Sequence, residues 1–349
     1  MPDKTDKVKG APSPRPATLA DVAREAGVSQ ATASRSLSGS GYAGEATRSA
    51  VLAAANHLDY RPNPSARALR TSRTATLGVL VPNLTNPVHL PLLEGIGQVA
   101  RADGLALLVA DGDRSAAIER DQADLLVDHR VDAIVVGGVL ADRGLGRRLR
   151  RRGLAVAEVD VESLAAAEAQ AIEAAADALL NAGHRRVALL TLGPTRADGP
   201  RRTADARAQR WRQALRRGGG HLAWRQVPPV HGVDATWVRR LVDRADGPSA
   251  LVCGSLPLAP PLLSALRSAG IHIPNQVSLV LFGATPWAQA YDPPLATIEL
   301  DHAGLGQALA RQALDAIGSA SRRPPSRWEV TARFEARGSV GPPAGARGG

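Results

Sequence analysis

The sequence predicts two kinds of structure in one chain: an all-α headpiece of three short helices, then a two-lobed α/β domain built on parallel sheets. Three observations predict it. Residues 18–58 carry apolar side chains at helical spacing, interrupted by Gly27. The string Tyr60-Arg61-Pro62-Asn63-Pro64 then breaks the pattern. From Thr76 onward, short apolar runs alternate with amphipathic segments in two successive series.

In the headpiece, Leu19, Val22 and Ala26 recur on one helix face, and Thr18 with Asp21 makes a capping-box-like start. Gly27 supplies the left-handed residue that ends this helix, and Ser29 can cap the next. Two short helices joined by a tight turn form a helix-turn-helix, whose second helix fits the major groove of DNA. By itself such a pair is equally at home in any α-helical domain. A third helix over 45–58 gathers Val51, Leu52, Ala55 and Leu58 on one face and closes the headpiece. After the break, 65–70 offers a helical segment too short to be stable alone in water.

The α/β region opens with a strand at 77–81, a helix at 92–102 and a strand at 105–109. A helix at 118–129 and strands at 133–136 and 154–159 complete the first series. The second series alternates helices at 172–181, 208–216, 237–245 and 262–269 with strands at 187–190, 222–227, 250–253 and 277–282. Continuous apolar strands between helices imply parallel sheets covered on both faces, and two series imply two lobes with a cleft between them. The expected divisions are a disordered tail at 1–16, a helix-turn-helix domain at 17–62 and a linker at 63–74. A two-lobed domain at 75–338 and a disordered tail at 339–349 follow. Within the two-lobed domain, the N-lobe takes about 75–159 plus 296–322 and the C-lobe about 160–295 plus 323–338.

Bulk properties narrow the function classes. The chain has 349 residues, 44% hydrophobic and 22% charged, in the ordinary range for a globular protein with a sizeable core. No apolar run approaches the roughly 20 residues of a membrane span, and no apolar signal region follows the N-terminus, so a cytoplasmic, nucleoid-associated protein is expected. The single cysteine, Cys253, leaves no intrachain disulfide and no multi-cysteine metal site, and its apolar setting reads as a buried strand thiol. The net charge of +10 suits a nucleic-acid partner, but residues 1–72 hold only ten Lys and Arg against six Asp and Glu. Arginine clusters at 143–152 and 196–217 read as solvated helix faces rather than a second nucleic-acid surface. No phosphate loop, nucleophile motif or metal cluster is present, so neither catalysis nor a cofactor is expected.

The order of motifs resembles the lac-repressor (LacI/GalR) family of bacterial transcription regulators. The resemblance rests on Thr18-Leu19-Ala20-Asp21-Val22-Ala23, Gly27-Val28-Ser29, Ala33-Ser34-Arg35 and Tyr60-Arg61-Pro62-Asn63. Ala66-Arg67-Ala68-Leu69-Arg70-Thr71, Gly78-Val79-Leu80-Val81-Pro82-Asn83, Gly183-His184-Arg185-Arg186 and Pro293-Pro294-Leu295-Ala296-Thr297-Ile298 extend it to about residue 339. It implies a periplasmic-binding-protein-like regulatory domain, a homodimer or tetramer, double-stranded operator DNA as partner, and a small-molecule effector of unknown identity in the cleft.

Residue by residue, the resemblance puts Gln30, Ala31 and Arg35 at base edges. Arg can take both guanine acceptors, Gln suits adenine, and Ala offers an apolar contact. A phosphate contact or surface ion pair is the alternative for Arg35. Thr18, Ser29, Thr32, Ser34 and Tyr42 suit phosphate contacts that fix register. In the linker, with Asn63 at its start, Leu69 matches the leucine that kinks operator DNA. Ala66 stands at the helix approach and Arg67 nearby; the alternative for Leu69 is linker packing. Such a wedge costs a few kcal/mol of base unstacking, offset by contacts to bent DNA.

The cleft departs from the family pattern. Leu281-Phe282-Gly283 replaces a Gly-Phe-Asp string, Ser255-Leu256 an Asn-Asp pair, Val88-His89 an aromatic pair, and Ala167-Glu168 an Asp-Asn pair. Asp160 and Arg207 remain. The candidate effector residues are therefore His89, Asp160, Arg207, Ser255, Gly283 and Trp287, with Trp287 and Trp211 able either to stack on a ligand or to pack. Each buried ligand hydroxyl left unpaired is costly, so this set argues against a typical sugar. A regulator that answers a non-sugar ligand, or none, is the alternative to sugar control. A solute-binding protein or an enzyme is a remoter reading.

Overall fold

A computed structural model describes residues 15, 17–38, 44–61, 73–192, 202–227, 232–317 and 330–344. Tyr42, Asn63, Ala66, Arg67 and Leu69 lie outside them, as do most of the expected linker and N-terminal tail. The chain divides into two compact units, Met1–Thr74 and Ala75–Gly349.

The first unit holds α1 (Leu19–Glu25), α2 (Gln30–Ser38) and α3 (Glu45–His57). Thr18 and Asp21 form the expected capping box: the Asp21 N–H donates to Thr18 Oγ1 at 3.3 Å and the Thr18 N–H to Asp21 Oδ2 at 2.9 Å. Two orphan N–H groups at the helix start are satisfied reciprocally. Gly27 lies at φ +67°, and open space surrounds its missing side chain, so conformation alone demands glycine there. Val22, Ala23, Ala33, Val51, Ala54 and Ala55 form a small core, flanked by Leu19, Val28, Leu37, Leu58 and Tyr60.

The second unit contains two sheets. The N-lobe sheet has strand order β2-β1-β3-β4, all parallel, from β1 (Thr76–Val81), β2 (Ala106–Asp111), β3 (Ala133–Val136) and β4 (Ala155–Glu158). Its helices are α4 (His89–Ala102), α5 (Ala116–Asp128) and α6 (Leu145–Arg151). The C-lobe follows with α7 (Val161–Asn181), β5 (Arg186–Leu192), α8 (Arg202–Arg217), β6 (His221–Val227), α9 (Ala235–Val242) and β7 (Ala250–Cys253). Then come α10 (Ala259–Ser268), β8 (Ser278–Phe282), α11 (Pro286–Ala290), β9 (Ala296–Leu300), α12 (His302–Asp315) and β10 (Ala332–Glu335). The six-stranded C-lobe sheet runs β10-β9-β8-β7-β5-β6 and is parallel except for β10 against β9. Apolar clusters cover both faces of each sheet, as parallel strands require.

The chain changes lobes three times, near residues 159–161, 300–302 and 330–332. Residues 296–322 are expected in the N-lobe, a division that β9 does not follow. Instead its whole length pairs within the C-lobe sheet, and only Leu300 reaches the N-lobe core. The reason is that β9 itself is the crossing strand, and α12 carries the chain back onto α4. A Cβ at Gly95 would lie 2.0 Å from the Ala303 carbonyl oxygen, and one at Gly306 2.2 Å from that of Leu92, so these glycines let the two helix backbones touch.

The end of the fold also needs correction. The expected tail at 339–349 begins too early, because Ser339 is fully buried. Its Oγ donates to the Leu279 carbonyl at 2.6 Å and accepts from the Ala296 N–H at 2.8 Å, while Val340 packs on the C-lobe core. His184 is a buried hub, with Nδ1 at 2.8 Å from Ser249 Oγ and Nε2 at 2.8 Å from the Gly341 carbonyl. Cys253 is the expected buried strand thiol; burial pushes its pKa up to about 12. Arg148 and Arg150 of α6 and Arg152 after it pair with carboxylates, Arg148 with Asp142, Arg150 with Glu158 at 2.6 Å and Arg152 with Asp124 at 2.5 Å, as solvated helix faces do.

Candidate nucleic-acid interface and interlobe cleft

In the headpiece, the residues that bury α2 are Ala33 and Ser36, which leaves the other side of the helix outward. Ser29, Gln30, Ala31 and Arg35 are all exposed there, with Thr32 and Ser34 half-buried beside them. Ser29 Oγ accepts from the Thr32 N–H at 3.2 Å, capping α2, and Arg35 Nη2 reaches Thr32 Oγ1 at 3.4 Å. The result is a run of short polar groups, one methyl and one cation at the start of a helix whose N-terminal N–H groups favour phosphate. Hydrogen bonds from Thr18 hold the Asp21 carboxyl below its ordinary pKa, so the cap is ionised at neutral pH.

The C-terminal ends of β5, β7 and β8 line one side of the interlobe cleft, where parallel sheets place their ligands. Arg207 projects there from α8. Its Nε donates to Glu168 Oε2 at 2.7 Å, Nη2 to Glu168 Oε1 at 2.5 Å and Nη1 to the Gly254 carbonyl at 3.1 Å. The guanidinium lies 4.4 Å from the Phe282 ring centroid. The side chains are 21% and 3% exposed for Arg207 and Glu168, so this is a shielded, bidentate pair rather than a surface one.

The other sequence-predicted residues are dispersed around this pair. Ser255 Oγ accepts from the Leu192 N–H at 3.4 Å. Gly283 sits at φ +112°, with a Cβ position 3.1 Å from Leu256 and 3.5 Å from Val88, so a side chain there would strain the backbone and meet both lobes. Trp287 packs half-buried on the same apolar cluster as Val88 and Leu256, whereas Trp211 packs fully buried in the core on the other face of the C-lobe sheet. Asp160 caps α7, accepting from the Ser163 N–H at 2.8 Å and from its hydroxyl at 2.7 Å. His89 opens α4 and is buried, which lowers its pKa to about 4, with neighbouring His302 acting in the same direction.

Two residues were missed from the sequence. Glu168 registered only as a lost Asp-Asn pair, and nothing in the spacing from 168 to 207 announces a bidentate contact. His302 begins α12, a helix the sequence reading did not find. Its Nδ1 lies 3.0 Å from the Leu300 carbonyl, and burial lowers its pKa.

Comparison with known proteins agrees with this arrangement. Residues 18–63 match the family described as bacterial regulatory proteins, lacI family, and residues 176–340 match a periplasmic binding protein-like domain. The chain is 31% identical to the HTH-type transcriptional regulator MalR of Streptomyces coelicolor, over 95% of this chain and 98% of MalR. It is 32% identical to the HTH-type transcriptional regulator AscG of Escherichia coli, over 81% and 87% of the two chains. Among solved structures, the lac repressor dimer bound to operator and the anti-inducer ONPF shares the fold, with a TM-score of 0.79 at 20% identity over 94% of this chain and all of that one. A helix-turn-helix headpiece ahead of a two-lobed parallel α/β domain, matched along its length by such relatives, makes this chain a DNA-binding transcriptional regulator that belongs to the lacI family.

Proposed function

We propose that the chain is a cytoplasmic, homodimeric repressor that holds a near-palindromic operator. The outward side of α2 carries the reading: Gln30, Ala31 and Arg35 stand together there, exposed, with a capped helix start beside them. In this reading those three meet base edges in the major groove. Thr18, Ser29, Thr32, Ser34 and Tyr42 hold phosphates, and Asn63, Ala66, Arg67 and Leu69 work from the linker in the minor groove. Leu84, Leu90, Val109 and Leu125 are large apolar side chains left 40%, 64%, 37% and 45% exposed on the N-lobe, apolar surface of the kind a second copy would cover. The solved lac repressor relative is a dimer on its operator, which supports the same assembly here.

Footprinting on the chain's own upstream region tests the proposal. The wild type is expected to protect two half-sites about one helical turn apart. Arg35→Ala should weaken operator binding roughly 5- to 150-fold and relax discrimination at one base pair, the cost of a lost bidentate base contact. Leu69→Ala should remove the bend without changing which half-sites are chosen. Failure to retain any upstream fragment at low salt would sink the operator reading.

A second reading, a repressor needing no small molecule, is favoured by one observation: the strongest ligand-gripping group of the cleft, Arg207, is already engaged by Glu168.

A further inference from the structure

We propose that Glu168 is a resident occupant of the effector cleft, a carboxylate that fills the place on Arg207 where a ligand anion or hydroxyl would bind. The cleft of the natural chain therefore refuses carboxylates and polyhydroxyl ligands. The inference rests on reading the interlobe cleft as the effector site.

Arg207 offers five N–H donors in a fixed fork that matches a carboxylate bidentately. Two of its nitrogens already meet both oxygens of Glu168, a third meets the Gly254 carbonyl, and the Phe282 ring backs its flat face. A ligand carboxylate would have to displace one that is tethered, 3% exposed and prepaid in entropy. Of the described residues near it, His89 and His302 supply no second cation, because burial holds the pKa of each below the ordinary value and both are neutral at physiological pH. On the facing side, Val88 reaches the apolar cluster of Leu256 and Trp287. Glu168 is thus a specificity-determining residue whose role is subtraction.

The test is to remove the tethered carboxylate and supply a free one. Glu168→Ala leaves Arg207 a shielded cation without its partner, so its melting temperature should fall by about 5–10 °C. Replacing chloride with acetate at constant ionic strength and pH should restore about 2–4 °C of that loss through binding to the native state. The wild type should not respond to the exchange. Glu168→Ala combined with Arg207→Ala should also be unresponsive, which separates anion capture from a general salt effect. If the alanine variant does not fold, Glu168→Gln keeps the volume, and formate, the smallest carboxylate, is the probe. An acetate gain in the wild type equal to that of the variant, or a folded Glu168 variant without any carboxylate-specific gain, overturns the proposal. Operator retention by the wild type is measured in the same buffers. Its loss would strike the operator reading and leave the carboxylate result standing.

Discussion

His89 shows how one side chain can make a fold sensitive to acid. Burial lowers its pKa from 6.5 to about 4, helped by the like charge that His302 would bring and opposed by Asp111. The unfolded chain therefore takes up this proton at a higher pH than the folded one. Stability is full above about pH 6.5 and declines as the pH falls toward about 4, because protonation favours the unfolded state across that window. His184 and His302, both lowered by burial, act in the same sense. Thermal melts of the wild type between pH 7 and pH 4.5 should show this decline, and His89→Asn should make it shallower; an unchanged slope would mean that His89 already ionises freely in the fold. At this scale, what the sequence revealed depended on locality. The Thr18–Asp21 box and Ser29 cap span three residues, and their chemistry can be read directly. Glu168 meets Arg207 across 39 residues and a strand crossover, which no spacing rule encodes.

Elements divide in the same way. Strands such as β3 and β7 are fully buried apolar runs, and their pattern is unmistakable. β9 and β10 escaped because both alternate with polar residues: β9 buries Thr297 and Glu299 beside Arg337. α12 escaped because Gly304 and Gly306 interrupt an otherwise ordinary helical pattern, although Gly306 is what lets it lie on α4. The segment after β10 looked like a tail for lack of apolar side chains, yet its backbone and Ser339 complete the C-lobe sheet's hydrogen bonds. Ending the chain at Gly338 should accordingly cost roughly 3 kcal/mol or more, since buried donors and acceptors lose their partners. His184→Asn should then cost less in the shortened chain than in the full one, because the Gly341 carbonyl it faces is already gone. Equal costs in a double-mutant cycle, followed by urea melts, would show the two to be independent.

At the scale of the molecule, the two units differ sharply in what holds them together. Among its described residues the headpiece core buries six apolar side chains, four of them alanine, and alanine contributes little apolar area. The two-lobed unit buries four large clusters rich in Leu, Ile and Val. Small domains bury a smaller fraction of their surface and are correspondingly marginal, so the headpiece should melt first. Calorimetry of the full chain should show two transitions, the lower and smaller one belonging to the headpiece. A chain beginning at Ala75 should lose that transition and keep the other within a degree or two. Operator DNA binds only the folded headpiece, so by mass action it should raise the lower transition, by several degrees once DNA exceeds the dissociation constant about a hundredfold. The upper transition should move only if occupancy of the headpiece is transmitted to the lobes. A single transition in the full chain would mean that the headpiece draws its stability from the lobes. In that case the separation of a reading head from its regulatory body, on which a switchable repressor depends, would not describe this protein.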